Sequence, residues 1–190
     1  MRVTGGAWAS RRIAGPPNGA PVRPTPDALR EQAFAVLAPR MAGARFLDLF
    51  AGTGINSLEA LSRGAARSVL VERAAATASL IRRNFAALEV PGDRWELLAF
   101  EARRALAALA ARGERFDLVW CDPPFDSWAE GPAALAAALE ADVLAPDVEV
   151  VLEAPPKADR VVPGFAVVRE LRGAWLLRAH RPAAKEQGSR

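Results

Sequence analysis

The chain has one cysteine, Cys121, one histidine, His180, no tyrosine and only two lysines, Lys157 and Lys185, among 190 residues. A lone cysteine excludes an internal disulfide framework and any multi-cysteine zinc cluster. A lone histidine, set between Arg178 and Arg181, argues against His-based catalysis and is expected at the surface. No stretch approaches the ~18 to 20 uncharged apolar residues that a membrane span requires, and the N-terminal residues lack the apolar centre of a signal peptide. A cytoplasmic protein, with neither a metal nor a membrane partner, is the expectation.

What is present is apolar and basic. Hydrophobic residues make up 51% of the chain, ample for the core of one domain. The net charge of +3 permits a polyanionic partner without requiring one. Nearly all 25 basic residues are arginines, whose guanidinium pairs bidentately with phosphate and stacks on bases. A GC-rich coding sequence explains the same bias, together with the abundance of alanine, so arginine usage is not read as heat resistance.

Residues 1–24 differ from the rest. Gly5, Gly6, Gly15, Pro16, Pro17, Gly19, Pro21 and Pro24 break any long element, while Arg2, Arg11, Arg12 and Arg23 lack nearby acids in sequence. This predicts a basic arm, either a short hairpin with Trp8 and Ile13 as its apolar surface or a disordered tail. Thr25 as N-cap and Pro26 in the first turn then open a helix through Leu29, Phe34 and Leu37 that ends near Pro39. From Arg45 onward β-rich runs alternate with alanine-rich helical ones. Strands are predicted at 45–50, 68–72, 96–100, 116–121, 148–153, 164–170 and 174–180, with helices at 56–63, 74–89, 102–112 and 130–144. Arg172 and Gly173 are too short a link for a parallel crossover, so the last two strands should form an antiparallel hairpin at the sheet's edge. The expectation is an α/β fold, a doubly wound, mostly parallel sheet of seven strands, occupying 25–181 and followed by a flexible tail at 182–190.

Two segments carry chemistry. The first strand runs into Asp48-Leu49-Phe50-Ala51-Gly52-Thr53-Gly54, where glycines let backbone approach a ligand at a helix start. A dinucleotide fingerprint would continue to a third glycine, but Ser57 stands there; Glu72 ends strand two, where a carboxylate accepts ribose hydroxyls. Asp48 would repel a pyrophosphate yet can hold a cationic amino-acid moiety, which favours S-adenosylmethionine over NAD. Glu101, after strand three, either reaches an adenine edge or is an exposed helix-initiating acid. The alternative for the glycines is a tight turn and no more.

The second segment is Asp122-Pro123-Pro124-Phe125, directly after the apolar strand Phe116–Cys121. Two prolines fix φ and supply no N–H, leaving the Asp122 carboxylate and the Pro123 carbonyl as acceptors on a stiff platform. If each accepts one N–H of an exocyclic amine, the nitrogen is drawn toward a pyramidal shape and its lone pair becomes available for attack, with Phe125 stacked on the base. In isolation Asp122 would be read as a turn cap and Phe125 as core packing. Cys121 should be a buried core thiol pointing away from the site, and Trp128 either borders the substrate or covers a helix end.

With these residues in place the chain resembles the RsmD family of bacterial small-subunit ribosomal RNA guanine-N2 methyltransferases over nearly its whole length. The resemblance rests on Met1-Arg2-Val3-Thr4-Gly5-Gly6, on Arg23-Pro24-Thr25-Pro26-Asp27 with Arg30-Glu31, on Asp48 to Gly54 continuing into Leu58-Glu59-Ala60-Leu61-Ser62-Arg63-Gly64-Ala65, and on Asp122 to Phe125. It implies a Rossmann-like class I methyltransferase. Asp48, Phe50, Ala51, Gly52, Thr53, Gly54, Glu72, Arg73, Glu101 and Asp122 would face S-adenosylmethionine, and Asp122, Pro123 and Phe125 the target amine. Arg2, Arg11, Arg12 and Arg23 would grip the RNA, either free 16S RNA or an assembling 30S particle, and a monomer is expected. The chain departs from the family at Asn56-Ser57, where a glycine commonly ends the pair, at Glu101, at Ala9-Ser10-Arg11, and at Trp175 and Arg178 in the closing strand. Rival readings are an amino methyltransferase acting on adenine or cytosine of DNA or on a protein amide, an NAD-dependent oxidoreductase, and a non-catalytic RNA-binding module.

Overall fold

Apolar side chains alternate between two cores along each central strand, and this alternation organises the molecule. In the strand Phe116–Cys121, Leu118 and Trp120 enter one core while Phe116, Val119 and Cys121 enter the other. The computed structural model describes residues 1–16 and 26–180. Arg23 and Thr25 of the predicted arm and N-cap, and the predicted tail at 182–190, lie outside the described residues.

The strands are β1 (Arg45–Leu49), β2 (Arg67–Val71), β3 (Trp95–Leu98), β4 (Phe116–Cys121), β5 (Leu144–Glu153), β6 (Phe165–Leu171) and β7 (Ala174–Ala179), in the spatial order β3-β2-β1-β4-β5-β7-β6. The first five are parallel, and β7 runs antiparallel to both β5 and β6. Helices α1 (Asp27–Leu37), α2 (Ile55–Ser62) and α3 (Ala75–Ala87) cover one face, through Phe34, Leu58 and Phe85. Helices α4 (Ala102–Ala111) and α5 (Glu130–Glu140) cover the other, through Leu106, Leu109 and Leu135. The fold is the expected Rossmann-like, doubly wound, mostly parallel α/β sheet of seven strands. Chain direction reverses its sideways progress between β1 and β4, the switch point at which open α/β sheets bind ligands. Among the described residues no helix is long and apolar enough to cross a membrane.

The last two strands form the expected antiparallel hairpin at the sheet's edge; β7 is its inner strand and β6 its outer one, because Ala174-Trp175-Leu176-Leu177 is buried throughout while much of β6 is exposed. Two expectations need correction. Helix α5 stops at Glu140 rather than 144, since Asp142 adopts a left-handed φ of 54° and turns the chain into β5. Pro26 stands at the N-cap of α1, not in its first turn, and its carbonyl accepts the N–H groups of Leu29 and Arg30.

The N-terminal segment is a docked element. Residues 1–13 double back through an isolated bridge between Arg2 and Arg12, and Val3 and Ile13 are buried in the α1–α3 core. Polar side chains of α2 and the residue after it fasten it: Glu59 accepts the Thr4 N–H, Ser62 accepts the Trp8 N–H at 2.8 Å and donates to the Gly5 carbonyl at 2.6 Å, and Arg63 donates to the Thr4 hydroxyl at 3.0 Å. Beneath it Arg30 donates to the carbonyl of Arg2 at 2.8 Å. Gly6 sits at φ 78° and presses so near α2 that a Cβ there would lie 1.9 Å from the Ser62 carbonyl oxygen. The motifs at residues 1–6 and 58–65 are thus the two halves of one clasp.

Candidate active site

Each of the five parallel strands delivers a carboxylate at or near its carboxyl end: Asp48 in β1, Glu72 after β2, Glu101 beyond β3, Asp122 after β4 and Glu153 at the end of β5. Four of them, Glu72, Glu101, Asp122 and Glu153, line a cleft of about 1580 Å³ that also has Phe50, Gly52 and Phe125 in its walls. A pocket for one small ligand occupies roughly 300–1,000 Å³, so this cleft has room for two.

The glycine loop forms one wall. Phe50, Gly52 and Gly54 all take left-handed φ values, 63°, 55° and 77°. A Cβ on Gly54 would lie 2.9 Å from the Phe85 ring, which fixes how tightly the loop turns onto α2. The Gly52 N–H donates to Glu72 Oε2 at 3.1 Å and the Ala74 N–H to Oε1 at 2.8 Å, so Glu72 is held by backbone while still lining the cleft. Burial pushes its carboxyl above the ordinary range, against those two hydrogen bonds. Thr53 lines the cleft and its hydroxyl points at the Met1 sulfur, 3.6 Å away. Ala51 is buried beside it.

Asp48 lies under this loop and not in the cleft lining. It is fully buried, and its Oδ2 accepts both the N–H of Ser57 at 3.1 Å and the hydroxyl of Ser57 at 2.7 Å. Ser68 in turn donates to Ser57 at 2.8 Å. The serine that replaces a third glycine is therefore the anchor of Asp48. Burial raises the Asp48 carboxyl to about 7, opposed by the Ser57 bonds and reinforced by Glu153 and Glu72. Its Oδ1 is buried without a hydrogen-bond partner among the described residues.

Arg73 and Glu101 sit at the rim. Glu101 occupies the N-cap position of α4 without capping it, its side chain exposed, and Arg73 reaches toward Glu101 at 3.9 Å and Glu130 at 3.3 Å.

The opposite wall is the Asp122 platform. The Asp122 N–H is tied to the Leu49 carbonyl of the glycine-loop strand at 3.2 Å, which sets the two walls at a fixed spacing. Pro123 is buried against α5, where a Cβ on Gly131 would lie 2.6 Å from its ring. Phe125 opens a single 3-10 turn and is 44% exposed, its ring on the cleft. The Asp122 carboxyl is pushed well above its ordinary range by burial, then by Glu153 and Asp48. Cys121 lies fully buried on the α4/α5 side with its thiol raised, chiefly by burial. Trp128 packs edge-on against Trp175 at 6.0 Å and donates to the Glu153 carbonyl at 3.1 Å. His180 is exposed.

The arginines divide. Arg2 pairs with Asp27 at 3.3 Å, so it does not lack an acid after folding. Arg11 and Arg12 are exposed, and Arg11 leans on the Ala87 carbonyl at the end of α3 at 3.4 Å. That brings Arg11 to the carboxyl end of α3, a helix that carries the exposed Arg82 and Arg83 and no acidic residue. Two residues that the motifs did not single out also belong here: Glu153, buried and lining the cleft, and Asn84, which donates to the Thr53 carbonyl at 3.0 Å while exchanging bonds with Ala14 at 3.0 and 3.1 Å; Met1, from the first motif, stands in the cleft lining. Glu153 was within reach of the strand-end rule that found Glu72. Asn84, one amide on an alanine-rich helix, carries no such signal.

Comparison with known proteins agrees with this architecture. The family model described as Conserved hypothetical protein 95 matches residues 1–173. The Ribosomal RNA small subunit methyltransferase D of Escherichia coli strain K12 is 38% identical over 125 residues, 66% of this chain and 60% of that protein. The putative rRNA methyltransferase YlbH of Bacillus subtilis is 35% identical over 125 residues, 66% of this chain and 67% of that protein. The chain thus spans about 60% of the first of these relatives. Among solved structures, a putative methyltransferase from Escherichia coli superposes with a TM-score of 0.77 at 28% identity, covering 96% of this chain and 99% of that one. A hypothetical protein from Thermus thermophilus gives 0.78 at 27% identity, covering 95% and 99%.

Proposed function

Since the chain belongs to the RsmD family, the family described as Conserved hypothetical protein 95, we propose that it transfers a methyl group from S-adenosylmethionine to the exocyclic N2 of a guanine in small-subunit ribosomal RNA. The observation that supports this reading is the tie between Asp122 and Leu49, which sets Asp122, Pro123 and Phe125 across one cleft from the glycine loop and Glu72.

The residues fit the cofactor. Burial first, and the neighbouring carboxylates after it, hold Asp48 and Asp122 above the ordinary range, so a cation entering the cleft eases the cost of their charged forms. Asp48 acts from beneath the loop, its Oδ1 an acceptor that meets no donor among the described residues. Glu72, steadied by two backbone N–H groups, retains lone pairs for ribose hydroxyls. Phe50, Gly52 and Thr53 present the loop's surface, Ala51 and Gly54 set its shape, and Arg73 with Glu101 closes the rim. When bound, S-adenosylmethionine supplies an electrophilic methyl on a sulfonium.

Asp122 and the Pro123 carbonyl accept the two N–H groups of the guanine amine, aim its lone pair across the cleft, and stabilise the positive charge it acquires. Asp122 then takes the surplus proton, directly or through water. Phe125 stacks on the base. A guanine inside a duplex cannot enter, so the target is unpaired or flipped out. Arg11 and Arg12, with Arg82 and Arg83, hold the flanking phosphates, and Arg23, outside the described residues, is assigned the same role from the sequence. The enzyme works as a monomer in the cytoplasm, on free 16S RNA or an assembling 30S particle.

Incubation with methyl-labelled S-adenosylmethionine and unmodified small ribosomal subunits, followed by nucleoside mapping, should yield N2-methylguanosine. Labelled N6-methyladenosine, or label confined to protein, would overturn the reading.

A further inference from the structure

Glu153 occupies a position that the transfer of a methyl group does not itself require. Strands β4 and β5 run parallel with Cys121 opposite Leu152, so the next residue outward on each strand, Asp122 and Glu153, ends up side by side at the carboxyl edge of the sheet. Neighbouring strands lie about 4.8 Å apart. The side chain of Glu153 is nearly all withdrawn from solvent, the residue being 6% exposed, yet it lines the cleft that contains Asp122 and Phe125.

Two indoles hold it. Trp120 donates its Nε1–H to Glu153 Oε1 at 3.1 Å, and Trp128 donates to the Glu153 carbonyl at 3.1 Å. Both indoles are themselves fixed, Trp120 stacked on Phe34 at 5.4 Å and 12°, Trp128 edge-on to Trp175 at 6.0 Å and 86°. The carboxylate is thus presented to the cleft from a rigid frame.

The chemistry that suits a second fixed acceptor beside the amine platform is guanine's. Guanine carries its N1–H next to its amino group, so its Watson–Crick edge presents adjacent donors. Adenine and cytosine carry a ring nitrogen lone pair in the corresponding place. A base whose amine is held by Asp122 and Pro123 turns that neighbouring ring atom toward an adjacent strand. Building on the methyl-transfer reading, we propose that Glu153 is the residue that selects guanine, accepting its N1–H while Asp122 and Pro123 hold N2. Adenine or cytosine would set a lone pair against the carboxylate, the kind of mismatch by which polar sites reject near-isosteres. A pair of matched edge contacts discriminates between bases on the order of 10- to 100-fold.

The test uses 2-aminopurine, which keeps the amino group of guanine but has a lone pair in place of N1–H. Small subunits are reconstituted with 2-aminopurine at the nucleotide that the wild-type enzyme methylates, and kcat/KM is measured against the guanine form for wild type and Glu153→Gln. Wild type should favour guanine by on the order of 10- to 100-fold. The Gln variant, whose amide can donate to the purine nitrogen, should lose most of that preference while its melting temperature and its affinity for S-adenosylhomocysteine remain measurable controls of folding. An undiminished preference in the Gln variant, or no preference in wild type, overturns the assignment while leaving guanine methylation intact. Failure of wild type to methylate any guanine overturns both this assignment and the function on which it rests.

Discussion

Arg30 of α1 and Glu59 of α2, both with fully buried side chains, form an ion pair at 3.6 Å directly beneath the N-terminal segment. Glu59 also pairs with Arg63 at 3.1 Å and accepts the Thr4 N–H, while Arg30 reaches the Arg2 carbonyl. Arg30 keeps its pair with Asp27 at 2.8 Å when Glu59 is removed, so the loss is that of the hydrogen bonds to Glu59. Glu59→Ala should therefore cost about 1–3 kcal/mol, measured by urea unfolding, and should speed tryptic cleavage at Arg11 and Arg12.

Gly6→Ala strains the same clasp without touching a charge. The added carbon would meet the Ser62 carbonyl oxygen at 1.9 Å, on a residue already at φ 78°. A loss of about 1–3 kcal/mol in unfolding free energy is expected, as for overpacking elsewhere. Gly15→Ala, where a Cβ meets nothing within 4 Å, is the control and should be near neutral.

Asp48 gives a signed dependence on pH. Its carboxyl is raised by burial to about 7 in the folded protein, against an ordinary value of 3.8. Below pH ~4 both states hold the proton; between ~4 and ~7 only the folded state does, so folding loses stability as pH rises through that window. Asp48→Asn removes the effect. Its unfolding free energy relative to wild type should improve by about 1.4 kcal/mol per pH unit across the window and level off above it. Binding of the cofactor runs the other way: S-adenosylhomocysteine, which carries an ammonium group, should bind wild type more tightly as pH rises through about 7. Urea unfolding and calorimetric binding, each followed from pH ~5.5 to ~8, check the two signs.

Arg11 and Arg12 together with Arg82 and Arg83 form an exposed basic face on the N-terminal segment and α3. Replacing all four by glutamine should raise KM for small subunits and reduce the steepness of its salt dependence, because each lost phosphate contact lowers the slope of log K against log salt by roughly 0.9 for duplex or 0.7 for single strands. Affinity for S-adenosylhomocysteine should not move. An unchanged salt slope would remove this face from the RNA interface.

Much of the site is legible in sequence because its residues are tied to places that sequence marks well. Glycines announce the loop after β1, and an apolar run followed by Asp122-Pro123 announces the end of β4. Asp48 is recognisable as an anion near the loop, but its depth is not, since only its partner Ser57 on α2 and the backing of Ser68 reveal that it lies beneath the turn. The docking of the N-terminal arm is hidden for a similar reason. Its anchors are single polar side chains 54 to 70 positions away, Ser62, Glu59 and Asn84, and nothing local to residues 1–16 announces them. The insertion of β7 between two strands is written in its buried Ala174–Leu177 run, but the direction of the hairpin relative to β5 emerges only from packing. Helix α5 reads as longer in sequence because Val143 and Leu144 continue an apolar pattern past Asp142, whose left-handed turn no periodicity records.

In the proposed reading, cofactor binding and amine activation rest on different walls of one cleft, and Asp122→Ala separates them. With small ribosomal subunits and labelled S-adenosylmethionine, methyl transfer by this variant should fall at least ~100-fold, about 2.7 kcal/mol of transition-state stabilisation. Its calorimetric affinity for S-adenosylhomocysteine should meanwhile stay within a few-fold of wild type. Turnover near the wild-type rate with the cofactor still bound would contradict the central claim.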